Sequence, residues 1–373
     1  MSAIISTRRR YFSIFYFISC LLFIFFFLKN WHTQRELKKI IVCPTTVNNK
    51  ISMQGKQIVI EGSSCTKSTT EKNEFSSLAR QLPYTIVTAA SANHLCALEN
   101  LLYSLQDRRD ELLVPFPKIV VYNLGVNQTQ LPILNQLHQN GLIDSLETFD
   151  YQQYPSFWDI SYQAGEYGWK TGIIHEASKK YGGLLVWMDA GNQIMENNEF
   201  LNRLPNYIIK GEGFWSPRSS FTMGRWTHPG MFDYFKEPNI DYYLRQLNCN
   251  GAIMGFDTNN QTIMDTIISP WYQCGLHKDC IAPLGSSRSN HRQDQAVITY
   301  LAYKTNHSCH RSPRSYKIYT HRDISCRTNL LERDHYSLLY HPSTVDFPQW
   351  TPTDTFDLIH HPEWRFPSPK SLK

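Results

Sequence analysis

Several common chemistries leave no trace in this sequence. It has no Gly-x-x-x-x-Gly-Lys-Ser/Thr loop, which counts against a P-loop nucleotide enzyme and the related sulfotransferase arrangement. A Gly-x-Ser-x-Gly elbow and a His-Glu-x-x-His helix are missing as well. No two cysteines have Cys-x-x-Cys spacing, so the commonest zinc ligand pattern is not there. No repeat of fixed period is visible. A general positive field is also lacking. The formal charge of +5 is concentrated in residues 1–40, where Arg8, Arg9, Arg10, Lys29, Arg35, Lys38 and Lys39 face only Glu36, a balance of +6 that leaves the rest of the chain at −1. A nearly neutral domain does not attract a phosphate backbone, so no nucleic-acid partner is expected.

What is present begins with a membrane signal. Tyr11–Leu28 is an 18-residue run without a charge, dominated by Phe, Ile and Leu. As a helix it just spans a hydrocarbon core of ~30 Å. It is long for the apolar region of a signal peptide, and Leu28-Lys29-Asn30-Trp31 offers no small-residue cleavage site. Arg8–Arg10 favour a cytoplasmic N-terminus. The expected layout is a cytoplasmic tail (1–10), a transmembrane anchor (11–28), a polar, Ser/Thr-rich stem (29–82), a lumenal domain (83–345) and a C-terminal tail (346–373). A single-pass type II protein of the Golgi or ER membrane follows. The short, Phe-rich span suits the thinner membranes of the early secretory route. Two features agree with a lumenal C-terminus. Asn127-Gln-Thr129, Asn260-Gln-Thr262 and Asn306-His-Ser308 are N-glycosylation sequons. Of nine cysteines, Cys20 lies in the apolar run and the other eight form an even set, as an oxidising compartment favours. Cys274 and Cys280 enclose a short loop and are the expected local bridge. The remaining pairings stay open.

From Pro83 onward strands and helices alternate. Tyr84–Ala90, Lys118–Leu124, Leu146–Phe149 and Leu184–Met188 read as strands from their β-branched or continuous apolar character. Between them lie helix-like stretches: Asn93–Gln106 with Leu95, Leu98, Leu102 and Leu105 on one face, Leu131–Gln139, and Ala164–Tyr181, which stops at Gly182-Gly183. Four such alternations predict an α/β fold with a mostly parallel sheet. Gly251–Phe256 is a further buried strand and Gln293–Ala302 a further helix. Beyond Ser312 no periodicity emerges.

In open α/β sheets ligands bind beyond the carboxyl ends of the strands. Asp189 directly follows the apolar strand 184–188, in Trp187-Met188-Asp189-Ala190-Gly191-Asn192. A carboxylate there can reach a divalent cation bridging two phosphates, or a ribose hydroxyl, and Gly191 permits close backbone approach. An isolated Asp after a strand also commonly caps a turn.

The order of segments over residues 83–305 resembles the GT-A nucleotide-diphospho-sugar glycosyltransferases, in which a strand ends in an Asp-x-Asp-type motif. It is most similar to membrane-anchored GT-A-like families of invertebrates, where a Tyr-x-Trp-Lys helix precedes an apolar strand ending in Asp. Here those residues are Tyr167, Trp169, Lys170 and Asp189. The layout is more distantly similar to glycosyltransferase family 8. The resemblance implies that Asp189 is the first acid of the metal motif and that Lys170 meets the donor sugar or its phosphates. Asn250-Gly251 would lie on the acceptor side with His291 and Arg292. Asp294-Gln295 would stand at the reacting carbon, as base or charge stabiliser and as positioning group. It also implies Mn²⁺ or Mg²⁺, a nucleotide sugar (a UDP-sugar first) and a glycan or glycoprotein acceptor. One departure stands out: position 191 is Gly where a second acid belongs, with Asn192 a poor substitute. A lone carboxylate then needs the pyrophosphate and a histidine, for which His335, His341, His360 and His361 are candidates. The expected function is lumenal glycosyl transfer. The alternatives are a glycosyltransferase-like fold that binds a glycan or partner without turnover, and an adhesion or receptor ectodomain.

Overall fold

The first three predicted strands and the fourth fall side by side in one sheet. β1 (Tyr84–Ala90), β2 (Lys118–Asn123), β3 (Ser145–Thr148) and β4 (Leu184–Met188) are mutually parallel, in the order β3-β2-β1-β4. The computed structural model describes residues 82–195 and 199–323, together with 326, 329 and 330. The chain divides into the units Met1–Lys67 and Ser68–Lys373. The first unit, the expected anchor at 11–28, and the tail from 346 lie outside the described residues. Among the described residues no helix is long and apolar enough to cross a membrane.

Connections between the parallel strands carry α1 (Leu95–Gln106), α2 (Leu131–Gln139) and α3 (Gly168–Tyr181). After β4 come β5 (Gln193–Ile194), α4 (Phe200–Lys210), β6 (Phe214–Trp215), β7 (Arg218–Thr222), β8 (Leu247–Cys249) and β9 (Ile253–Asp257). The chain continues through α5 (Ser269–Leu276), α6 (Gln293–Lys304) and β10 (Ile318–Tyr319). β9 runs antiparallel to β4 and β6 antiparallel to β9, so the six-stranded sheet is mixed at one edge. Two apolar layers sandwich it. Leu98, Leu102, Leu134, Leu137, Leu204 and Ile208 cover one face, from α1, α2 and α4. Ile173, Ile174, Trp271, Val297 and Ile298, from α3, α5 and α6, cover the other. Burial on both faces is why β4 reads as a continuous apolar run instead of an alternating one.

The sequence predicts a helix from Ala164, but regular helix starts at Gly168. Gln163 to Tyr167 all have positive φ and wind one turn of left-handed backbone. For residues other than glycine that conformation costs about 1–2 kcal/mol each. Trp158 offsets it. The indole is fully buried and donates to the Gly275 carbonyl at 2.8 Å. It lies so close to the chain that a Cβ at Gly168 would stand 2.1 Å from its Nε1, and one at Gly165 2.1 Å from its carbonyl oxygen. Trp169 Nε1 also donates to the Ala164 carbonyl at 3.0 Å. The turn thereby fixes where α3 begins, and with it Lys170.

The local bridge Cys274–Cys280 forms as the spacing predicts. Cys249–Cys309 and Cys96–Cys326 complete the bridges among the described residues. The last of these ties α1 to the segment after β10. That segment is also held by antiparallel β5–β10 pairing and by Arg322 N–H donating to the Gly191 carbonyl at 2.7 Å.

Candidate active site

A cleft of about 1800 Å³ opens beyond the carboxyl ends of β1 and β4. Its wall includes Tyr167, Trp169, Lys170, Asp189, Gly191, Asn250, Gly251, Arg292, Asp294 and Gln295, ten of the residues singled out from the sequence. They come from α3, the tip of β4, the β8–β9 turn and the start of α6. The central group is Lys170. Its side chain is buried, and its ammonium stands 3.0 Å from Asp189 Oδ1 and 2.8 Å from Asp294 Oδ2, while donating to the Gly251 carbonyl at 3.2 Å. The Trp187 ring centre lies 5.3 Å away, with Tyr167 and Trp169 at 5.8 and 6.0 Å. Burial disfavours the ammonium, but Asp189 and Asp294 outweigh it and hold the Lys170 pKa above its ordinary value.

Lys170 is thus an ammonium held between two carboxylates and one carbonyl, on the wall of the cleft where the resemblance expects it to meet a donor. Asp189 accepts a second bond on the same Oδ1 from Trp187 Nε1 at 2.6 Å, and its side chain keeps about a third of its exposure. Asp294 is 6% exposed; burial pushes its carboxyl above the usual range, with Lys170 opposing that shift. Gln295 Oε1 accepts from Gly251 N–H at 3.4 Å, and a Cβ at Gly251 would lie 3.1 Å from Gln295 Cβ. Asn250 spends its Oδ1 closing the turn onto Ala252 N–H at 2.8 Å.

Two predicted residues lie off the cleft wall. Asn192 is fully buried and donates to the Ala252 carbonyl at 2.7 Å, so it staples the β4 tip to β9 and does not stand in for an acid. His291 is fully buried too. Its Nδ1 accepts from His228 N–H at 3.2 Å, its Nε2 faces the Ile281 carbonyl at 3.0 Å, and burial depresses its pKa to about 4. A neutral, doubly anchored imidazole supports the turn ahead of α6, off the cleft wall. Arg292 does reach the wall, its guanidinium 4.3 Å over the Trp226 ring.

Other wall residues gave no sequence signal. Asp323 and His321 follow β10, in the stretch without periodicity, whereas His335, His341, His360 and His361 lie outside the described residues. Arg218, Lys278 and Arg288 add positive charge, and Asp159 and Glu166 negative. With Lys170 and Arg292 set against Asp189, Asp294 and Asp323, the described residues of the wall include five lysine or arginine and five carboxylate side chains.

Among the described residues no three His, Cys, Asp or Glu side chains form a group that could hold a metal ion. The donor set therefore does not make an all-protein cage. It does fit a cation shared with a bound diphosphate, which for Mg²⁺-like ions commonly needs only one or two carboxylates. The decisive contact is at Gly191, where an added Cβ would meet Asp323 Oδ2 at 2.4 Å: a carboxylate already fills that space.

No protein family and no curated protein matches the chain. Among solved structures it is similar to the bifunctional glycosyltransferase WbbM in apo form, at 12% identity over 62% of this chain with a TM-score of 0.39. It spans only 38% of that protein. It is similar to the galactosyltransferase LgtC in complex with donor and acceptor sugar analogues, at 11% identity over 62% of this chain and 74% of that one, TM-score 0.39. A third likeness is to core-mannan synthase A from Aspergillus fumigatus in a Mn/GDP form, at 9% identity over 60% and 70% of the two chains, TM-score 0.42. The functional reading rests on the geometry of the cleft.

Proposed function

We propose that this chain is a glycosyltransferase that moves a sugar from a nucleotide sugar, a UDP-sugar first, to a glycan or glycoprotein acceptor in the Golgi lumen, with residues 11–28 as its membrane anchor. One observation carries the reading. Asp189 from β4, Lys170 from α3 and Asp294 from α6 are remote in sequence yet meet in one ion-paired cluster on the wall of a cleft. The cleft is large enough for a donor and an acceptor together.

In the transfer the bond from the sugar C1 to the diphosphate oxygen breaks, the acceptor hydroxyl oxygen bonds to C1, and its proton passes to a base. Negative charge grows on the departing diphosphate. Arg288 and Arg292 line the same cleft, their guanidinium groups over the Tyr167 and Trp226 rings, and would answer that charge. Positive charge grows at C1. The cluster of two carboxylates and one ammonium carries a net negative charge, and Asp294 within it supplies a fixed field of the right sign. Gln295 and Gly251 shape the floor beside it. A Mn²⁺ or Mg²⁺ bound at Asp189 would supply electrostatic relief to the diphosphate.

The test is a panel of sugar nucleotides incubated with the purified full chain, with hydrolysis and transfer read by released nucleoside diphosphate. Turnover of at least one donor is expected. Binding of a nucleotide with no turnover of any donor would favour the glycan- or partner-binding reading, which the glycine at position 191 motivates. No binding and no turnover would overturn both.

A further inference from the structure

We propose that Asp323 is the second acid of the donor site: with Asp189 it offers two carboxylates to a divalent cation that binds together with the diphosphate, and position 191 is glycine because that carboxylate occupies the room a side chain there would need. The assignment rests on the proposed function and names a residue for it.

Three observations support it. An added Cβ at Gly191 would stand 2.4 Å from Asp323 Oδ2 and 2.9 Å from both Cγ and Oδ1, so the Asp323 carboxylate sits where a side chain at position 191 would start. The segment that carries it is pinned to this spot. Arg322 N–H donates to the Gly191 carbonyl at 2.7 Å, Ile318 and Tyr319 pair with Ile194 and Gln193, and Cys96–Cys326 anchors the chain three residues on. Charge supplies the third argument. Among the described residues five carboxylates balance the five lysine and arginine side chains of the wall, and Asp189 and Asp294 engage the Lys170 ammonium, so these side chains offer an incoming diphosphate no net positive charge. A divalent cation held by Asp189 and Asp323 supplies that charge. Among the described residues, Asp189 meets Lys170 through Oδ1, and the imidazole of His94 stands 3.7 Å from Asp323 Oδ1. Two carboxylates with phosphate oxygens and water complete the shell such ions prefer.

The experiment moves the carboxylate. The purified full chain and the variants Asp323→Ala, Asp323→Asn, Gly191→Asp and Gly191→Asp/Asp323→Ala are titrated calorimetrically with UDP and with GDP, in Mn²⁺ and in EDTA. Melting temperature is recorded for each as the fold control. The wild type is expected to bind one of the two at least tenfold tighter with Mn²⁺. Both Asp323 variants lose at least tenfold of that gain while melting as the wild type does. Gly191→Asp alone is as weak, because two carboxylates compete for one space. The double variant returns to within threefold of wild type. The proposal is overturned if either Asp323 variant keeps the wild-type Mn²⁺ gain, if the double variant melts normally but regains nothing, or if EDTA leaves wild-type binding unchanged. Failure of the wild type to bind any nucleoside diphosphate under either condition would instead overturn the proposed function.

Discussion

Replacing Lys170 by methionine tests the central cluster most severely, because the side chain keeps its length and loses only its charge and donors. In the native chain the ammonium is buried and meets Asp294 at 2.8 Å and Asp189 at 3.0 Å. The two losses are not equal. Asp189 keeps a third of its exposure, so water screens it when the lysine is gone. Asp294 has an 8% exposed side chain and is left buried with an uncompensated charge. Removing one partner of such a pair costs about 3–5 kcal/mol, and after discounting the screened half we expect about 3 kcal/mol. The sign of the pH dependence follows from Asp294. Burial already holds its pKa above the usual value, and loss of Lys170 removes the main opposing influence. A carboxyl with a raised native pKa is destabilising where the unfolded chain is ionised, and that penalty disappears as pH falls toward the unfolded value of 3.8. The deficit of Lys170→Met should therefore shrink between pH 7 and pH 4.5. Adding Asp294→Asn to it should recover at least half the loss at pH 7. Urea unfolding followed by tryptophan fluorescence measures all three. A deficit under about 1 kcal/mol, or one that does not change with pH, would show that the cluster is not the buried network described.

Elsewhere, burial pushes the fully buried Glu99 up to about 8 from an ordinary 4.5, and neither carboxylate oxygen has a hydrogen-bond partner. Its penalty is absent below pH 4.5 and grows as pH rises toward 8, reaching up to about 4 kcal/mol; Glu99→Gln should be more stable than wild type at pH 8 and equal to it near pH 4, by urea unfolding. Gly168→Ala drives a methyl to 2.1 Å from Trp158 Nε1 and should cost about 2 kcal/mol or more, whereas an alanine at the open Gly141 loop, strained only by its φ of +75°, should cost about 1 kcal/mol. Of the three sequons, Asn127 and Asn306 are exposed, while Asn260 is half-buried with its Nδ2 donating to the Glu212 carbonyl. Glycopeptide mass spectrometry of secretory-pathway material should find glycans at the first two and little at Asn260.

The parts of the fold that the sequence made legible are those where pattern and burial coincide. β1 and β4 begin and end as their apolar runs predict, and α3 stops at Gly182-Gly183, both in positive φ, as a helix terminator should. The antiparallel edge was not legible. β6 has only two residues, and its pairing with β9 is decided by long-range packing. The left-handed turn at 163–167 was hidden for a different reason: Gln163, Ala164, Glu166 and Tyr167 are not left-handed formers, and the conformation is held by the Trp158 wedge and the Trp169 bond to the Ala164 carbonyl. Asp189 was legible as a carboxylate at the tip of an apolar strand, whereas Lys170 and Asp294 were singled out by the resemblance; the structure brings the three side chains together. Asp323 was not legible, since it lies in an irregular segment and its tie to the site is spatial. The one available signal was negative, a glycine where a second acid was expected. His291 and Asn192 stand next to candidate site residues in sequence, yet strand and turn geometry points them into the fold.

The most direct measurement compares donor turnover by the wild type and by Asp189→Asn under the conditions that give the highest wild-type rate. The amide keeps the shape and the bond from Trp187 while removing the charge that faces the cleft. We expect an unchanged melting temperature and a fall in kcat/KM of at least 100-fold, about 3 kcal/mol of lost transition-state stabilisation. A variant that folds normally and turns over its donor at the wild-type rate would contradict the account at its centre.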